Sequence, residues 1–129
     1  MLSPEIQLFN EIFKRALTVN ENVVDYSPVN NPNLPYPFIH IGETTSNDLS
    51  DNKRFIRGDI AQTIHVWGYA HNRALFYDIS HRLKNELRQI TKLENYYVRQ
   101  IGLNSNDIYD NTTDDDLLHG IIQVEYRLT

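Results

Sequence analysis

Five histidines are the residues of this sequence best suited to catalysis or metal binding. They are His40, His65, His71, His81 and His119. A zinc site draws several nitrogen or carboxylate ligands together, and a helix supplies a histidine pair when the two lie four residues apart. No two of these histidines have that spacing. His40 and His65 alternate with apolar neighbours, a pattern typical of histidines packed within strands. The sequence therefore predicts no metal site.

The densest group of acids is an aspartate run near the C-terminal end. It comprises Asp107, Asp110, Asp114, Asp115 and Asp116. Several carboxylates in one loop could bind Ca²⁺, which prefers oxygen ligands. The spacing does not match an EF-hand loop, because the central glycine and the closing glutamate are missing. Runs of like charge are usually solvated, so we predict a solvated loop and leave cation binding open.

Other catalytic signatures are absent from the sequence. The chain has no cysteine, which excludes disulfides, thiolate metal sites and a cysteine nucleophile. It contains no Gly-x-Ser-x-Gly nucleophile elbow, and its glycines are too scattered for a phosphate-binding loop. Carboxylates that meet only in the fold could still act as acid and base. We predict that the protein is not an enzyme and needs no cofactor.

Composition and charge restrict the partners. The chain has 129 residues, which suits one domain spanning 1–129. With 12 basic and 17 acidic residues, its net charge of −5 argues against tight binding of nucleic acid. Lys53, Arg54 and Arg57 form the one local basic group, which we interpret as a solvated loop. No apolar run is long enough for a membrane span and no signal peptide is recognisable, so a soluble cytoplasmic protein is expected.

The most regular stretch runs from Gly58 to Ile90. Within Asp59–Trp67 the side chains alternate, which predicts a central strand. One face carries Ile60, Gln62, Ile64 and Val66, and the other carries Ala61, Thr63, His65 and Trp67. A helix follows, with Asn72 as the predicted N-cap and an apolar stripe formed by Leu75, Ile79, Leu83, Leu87 and Ile90.

The rest of the chain supplies a second helix and three more strands. Ser3 and Pro4 suit the start of a helix, whose predicted apolar stripe comprises Ile6, Phe9, Ile12, Phe13, Ala16 and Leu17. The predicted strands are Phe38–Ile41, Tyr96–Leu103 and Ile121–Leu128, and the polar stretches Thr18–Asn33, Thr44–Arg57 and Asn104–Asp116 are predicted loops. We predict an α+β fold, a two-layer sandwich in which two helices cover one face of a mostly antiparallel four-stranded sheet, in the order α-β-β-α-β-β.

Two segments of this chain resemble a known family. The first is Pro-Tyr-Pro-Phe-Ile-His-Ile-Gly-Glu at 35–43, and the second is Gln-Thr-Ile-His-Val-Trp at 62–67, which leads into the helix. Together with the size and the order of elements, they resemble the tail-completion, or tail terminator, proteins of long-tailed bacteriophages. The resemblance covers nearly the whole chain, and its motifs are packing patterns rather than chemical signatures.

The resemblance implies a structural virion protein at the head-proximal end of the tail, assembled in the cytoplasm of the host bacterium. Such subunits form a hexameric ring that caps the tail tube, stops its polymerisation and joins it to the head connector. The implied partners are further copies of the chain, the major tail tube protein, and the head connector or a head-completion protein. DNA would pass through the ring without tight binding, and no membrane is involved.

The resemblance supplies no catalytic residues, so we look for partner-binding residues in the two polar loops. The candidates are Asp48, Asp51, Lys53, Arg54, Arg57, Asp110, Asp114, Asp115 and Asp116. We hypothesise that Thr44–Arg57 contacts the tail tube, because it is long, polar and lies between the two recognisable strands. We also hypothesise that acids such as Asp114–Asp116 line the ring and repel passing DNA.

Two other functions stay open at this point. One is a head-completion protein on the capsid side of the joint. The other is a small cytoplasmic enzyme whose site forms around His65 and His119 with nearby acids. A convergent cluster with perturbed pKa values in a cleft would favour the enzyme, whereas exposed strand edges would favour ring assembly.

Overall fold

A computed structural model describes residues 2–26, 34–49 and 57–129, with the backbone alone at 48, 49 and 57. The described elements are α1 (Pro4–Val19), β1 (Val23–Val24), β2 (Phe38–Leu49), β3 (Arg57–Tyr69), α2 (Arg73–Arg88), β4 (Val98–Asp110) and β5 (Leu117–Leu128). They form one sheet in the order β1-β2-β3-β5-β4. Both helices pack against this sheet and against each other around one apolar core.

The prediction of a four-stranded sheet is wrong, because the described strands number five and the sheet is mixed. The extra strand, β1, pairs in parallel with β2, with Val23 opposite Ile39. The other neighbouring strands pair antiparallel. Two valines within an asparagine-rich stretch are too few to show an alternating pattern, so this part of Thr18–Asn33 was predicted as loop. The α+β class with two helices is confirmed.

Parts of two predicted loops are strand. Residues 44–49 extend β2 and pair with residues 57–62 of β3. Residues 104–110 extend β4 and pair with residues 117–123 of β5. The neighbouring strand binds the backbone N–H and C=O groups on one side of such a segment. The polar side chains of the segment can face water, because it belongs to an edge strand. Polar composition therefore predicted loops where cross-strand pairing produces long hairpins.

Helix α1 begins as predicted, because the Ser3 Oγ accepts a 3.3 Å hydrogen bond from the Ile6 backbone N–H. Its buried face differs from the predicted stripe. Ile6 and Leu17 are 38% and 47% exposed. The residues that face the core are Leu8, Ile12, Ala16 and Val19. These residues form the face of α1 that packs against α2 and β2. The packing of the helices on the sheet determines which face of the helix is buried.

Helix α2 also turns slightly away from its predicted stripe. Phe76 is buried, whereas Leu75 is 39% exposed. Asn72 holds the predicted N-cap position, but its side chain does not make the expected capping hydrogen bond. Asn72 instead ends a 3₁₀ turn, Ala70–Asn72, which leads directly into the helix. At the other end of α2, the buried Tyr126 hydroxyl donates a 2.6 Å hydrogen bond to the Leu87 carbonyl, and burial raises the pKa of Tyr126.

Two glycines of the sheet make room for the Phe76 ring. A Cβ atom on Gly120 would lie 3.0 Å from Phe76 Cζ, and one on Gly68 would lie 3.2 Å from Phe76 Cδ2. Phe76 is 1% exposed. The close approach of α2 to strands β3 and β5 therefore depends on glycine at both positions.

A buried glutamine holds the irregular part of β2. The register between β2 and β3 shifts between Ile41 and Thr44, and Gln62 lies opposite Thr44. The Gln62 Nε2 donates to the carbonyls of Gly42 at 3.0 Å and Glu43 at 3.1 Å, and its Oε1 accepts from the Thr44 hydroxyl at 2.9 Å. These bonds satisfy backbone groups that the bulge removes from the ladder.

Candidate functional site

The described parts of the first predicted binding loop lie at the paired ends of β2 and β3. Asp48 lies opposite Gly58, and Arg57 lies opposite Leu49, so both candidates belong to paired strands. The other candidates in this stretch, Asp51, Lys53 and Arg54, lie outside the described residues. The prediction that these charged residues bind a partner therefore remains a prediction.

The second predicted loop reduces to a turn of residues 111–116 between β4 and β5. The Asp110 carboxylate accepts from the Thr112 backbone at 2.9 Å and from its hydroxyl at 2.6 Å, and these bonds lower the pKa of Asp110. The Asp116 carbonyl accepts from the Ala70 backbone N–H at 2.9 Å. Asp114 and Asp115 are exposed. The turn is thus held by internal bonds and by its contact with the segment before α2.

Within the described ranges, no group of three or more His, Asp or Glu residues is arranged to hold a metal ion. The described acids of the 111–116 turn therefore form no Ca²⁺ site by geometry.

The paired strand ends lie at opposite ends of the sheet. Strands β2 and β3 are joined at the end where β3 begins, and β4 and β5 are joined at the end where β3 finishes. The described candidates Asp48 and Arg57 are therefore separated from Asp110 and the 111–116 turn by the length of the strands.

Stacked rings from β2, β3 and β5 form a row on the sheet face that the helices leave uncovered, hereafter the open face. Trp67 and His119 stack with their ring centroids 3.8 Å apart and their planes at 9°. Phe38 continues the row beyond Trp67 at 6.2 Å, and His65 and His40 continue it beyond His119. Sequence alternation places His65 and Trp67 on one face as predicted, but the register of β2 and β5 brings the other rings to them.

The predicted pair His65 and His119 does come together. Nδ1 of His65 lies 2.8 Å from Nε2 of His119, so one ring donates and the other accepts. On its other side, Nε2 of His65 lies 3.5 Å from Oε2 of Glu43, a carboxylate that is 72% exposed. Two protonated rings could not share the bond between the histidines, because both nitrogens would then carry a proton.

Burial, neighbouring charges and hydrogen bonds shift the pKa values of several side chains in and beside this row. Burial, and secondarily the charge of His65, lower the pKa of His119 to about 4. Burial and His65 also lower the pKa of His40. A hydrogen bond from its own backbone, with help from His65, lowers the pKa of Glu43. The row therefore favours a neutral His119 on one side of His65 and an ionised Glu43 on the other.

This arrangement predicts a loss of stability as the pH falls. The folded pKa of His119 is about 4, below the value of about 6.5 for an unfolded histidine, so the unfolded chain binds the proton first. Stability should be constant above pH ~6.5 and should decline as the pH falls towards ~4. After a discount for partial exposure we expect about 1–2 kcal/mol. Urea denaturation at several pH values, followed by the fluorescence of Trp67, measures this change.

The matched controls are His119→Gln and His81→Gln. The first variant should remove most of the slope between pH 4 and 6.5, as it abolishes the shifted pKa. The second should keep the slope, because His81 is exposed on α2. An unchanged slope in the His119→Gln variant would show that another group carries the pH dependence.

A shallow depression lies on the open face, away from the histidines. Its volume is about 420 Å³, and its lining includes Thr45, Thr63, Asn104 and Gln123. Its lining residues include none of the five histidines. The histidine pair therefore lies outside this depression, and the two features do not combine into an enzyme-like cleft.

The architecture defines the chain as a small α+β protein built on a mixed sheet with long terminal hairpins. No protein-family model and no curated protein sequence matches it. Among solved structures, it is similar to a chain in the virion of a native gene transfer agent particle. That match has a TM-score of 0.65 and 14% identity, and it covers 93% of this chain and 94% of the other. It is also similar to the gp17 protein of bacteriophage SPP1, with a TM-score of 0.51, 24% identity, and coverage of 96% and 86%.

These similarities establish the fold as one used by phage and phage-like particles. They agree with the resemblance to the phage tail-completion family that the strand motifs suggested.

Neither helix of the described segments has both the length and the apolar character required to span a membrane.

Proposed function

We propose that this chain is a phage tail-completion protein that caps the tail tube as a ring, ends tube polymerisation and joins the tail to the head connector. The main support is the fold, which is shared over more than nine-tenths of the chain with a gene transfer agent virion component. The strand motifs at 35–43 and 62–67 support the same family. The hexameric state, the tube and connector partners and the head-proximal location are parts of this proposal.

The geometry of the hairpins supports a role between two partners. A protein that joins a tube to a connector needs binding surfaces at opposite ends, and the β2–β3 and β4–β5 tips lie at opposite ends of the sheet. We propose that the β2–β3 tip meets the tail tube and that the 111–116 turn faces the other side. Loops on a rigid scaffold commonly carry binding residues.

Removal of the protein tests the proposal. We expect phage that lack it to produce overlong tails, because nothing stops addition of tube subunits, and electron microscopy measures the tail length. Complementation with the intact gene should restore normal length. Tails of normal length without attached heads would contradict termination and would favour a head-completion protein instead.

The same assay tests the proposed tip. Replacing the residues between Leu49 and Arg57 by a short turn should disturb tail length or head joining, whereas unchanged particles would exclude this tip as the tube contact. Charge reversal of Asp114–Asp116 should impair DNA ejection if these acids line the channel. Normal ejection would exclude that role for the turn.

A further inference from the structure

Among the described residues, the sheet has free edges on both sides. Within the described segments, β4 pairs with β5 alone, so from Arg99 onward its other side has no strand partner. At the opposite side, β1 covers β2 only at Ile39 and His40. The part of β2 from Thr44 to Leu49 therefore has no described strand on its outer side.

These edges lack two of the residue types that protect natural edges. Natural sheets protect a free edge with proline, charged side chains such as lysine, a β-bulge or a very short strand. The exposed part of β4, Arg99–Asp110, contains no proline or lysine, and neither does Thr44–Leu49 of β2. The irregular part of β2 ends before Thr44, whereas β4 has a register shift between Gln100 and Gly102. Beyond that shift, every second residue of each edge presents an unpaired backbone N–H and C=O outward.

The two edges have directions that suit each other. Strand β2 is antiparallel to β3, β3 to β5, and β5 to β4. Consequently β4 runs opposite to β2. A rotation about an axis parallel to the strands preserves these directions, so β4 of one copy would meet β2 of the next in antiparallel orientation. Such a head-to-tail contact uses different surfaces on the two copies, and it produces a ring when the rotation closes.

We propose that the partner of the β4 edge is the β2 edge of a second copy, so that neighbouring subunits form one continuous sheet around the ring. This inference rests on the proposed ring and specifies which surfaces meet in it. The strands then run along the ring axis. The ends of β2 and β3 at Leu49 and Arg57 then lie on one side of the ring in all subunits, and the 111–116 turns lie on the other.

The register across the sheet identifies residues for a test. Thr45 lies opposite Ala61, Ala61 opposite Glu125, and Glu125 opposite Gly102. Thr45 and Gly102 are therefore at one level of the sheet, on its two edge strands. Both are exposed, so cysteines at these positions leave the core intact. Directly opposed residues of paired strands are close enough for a disulfide.

The absence of cysteine from the natural chain makes cross-linking specific. The test combines Thr45→Cys with Arg99→Cys, Gly102→Cys or Asn104→Cys, in the purified full chain at high concentration and in assembled particles. Under oxidation, we expect at least one double variant to form a ladder of covalent oligomers that ends at the ring size. Each single variant should remain uncross-linked, because β2 and β4 meet only each other. Thr45→Cys with His81→Cys, on exposed α2, is the matched control.

Two results would overturn the edge pairing and leave the proposed function standing. One is dimer formation by a single β4 variant, which would indicate a two-fold contact between identical edges. The other is a ring visible by electron microscopy in which no double variant cross-links. Particles that contain no ring of this protein at all would instead overturn the proposed function together with the inference.

Discussion

The variant Gln62→Met should lose about 2 kcal/mol or more of its free energy of unfolding. Gln62 is 1% exposed, and its amide nitrogen donates to the Gly42 and Glu43 carbonyls. Methionine fills a similar volume but offers no donor, so the bulge keeps two acceptors without their present partner. Leaving a buried polar group unsatisfied costs about 1–3 kcal/mol. Urea denaturation followed by circular dichroism measures the loss.

Gln123→Met is the matched control for this substitution. Gln123 is an exposed glutamine on β5, opposite Thr63 of β3, so the same chemical change there should alter stability by less than ~0.5 kcal/mol. Equal effects of the two substitutions would show that Gln62 acts through strand propensity rather than through the bulge. A loss of stability in Gln62→Met alone would show that the bulge depends on the Gln62 side chain. The bulge lies next to the free segment of the β2 edge, which begins at Thr44.

The variant Gly120→Ala should lose about 1–3 kcal/mol, because the added methyl group overpacks the core. Its Cβ would lie 3.0 Å from Phe76 Cζ and 3.1 Å from an Asp107 carboxylate oxygen. The exposed Asp107 can rotate away, but Phe76 is 1% exposed and held between α2 and the sheet. Alanine ordinarily favours a strand more than glycine does, so a net loss would identify the contact with Phe76. Thermal denaturation shows the effect as a lower melting temperature.

Gly102→Ala provides the control, because a Cβ atom there meets nothing within 4 Å. We expect that variant to be neutral or slightly more stable. Adding Phe76→Leu to Gly120→Ala should cost less than the two separate losses combined, as the smaller side chain relieves the overpacking. If the losses of stability from the two substitutions simply add, the destabilisation by Gly120→Ala does not come from its contact with Phe76.

The open face bears on the choice between a structural protein and an enzyme. The tertiary structure does join His65, His119 and Glu43, and it lowers the pKa of His119 to about 4. A histidine with a pKa of about 4 is a weak base, and the described residues arrange no group of three metal-ligating side chains around it. Stacking on Trp67 at 3.8 Å fits a packing role across the sheet instead.

The sequence by itself determined the elements with strong periodicity. The alternation of Asp59–Trp67 predicted a strand with Ile60, Gln62, Ile64 and Val66 on one face, and that face is the buried one. The Ser3-Pro4 start of α1 was also correct, because capping depends on neighbours in the chain. The α+β class followed from the order of such segments, since each local pattern requires no knowledge of the partner strand.

Only the tertiary structure decided where the polar stretches belong. Thr44–Leu49 and Asn104–Asp110 are strands because neighbouring strands satisfy their backbone groups, an effect that side-chain polarity does not encode. Register brought His119 to His65 across 54 positions of sequence, and the stacking of layers selected Phe76 rather than Leu75 for the core. The free edges of β2 and β4 likewise exist only once the strand order is known, because an edge is a property of the sheet rather than of its strands.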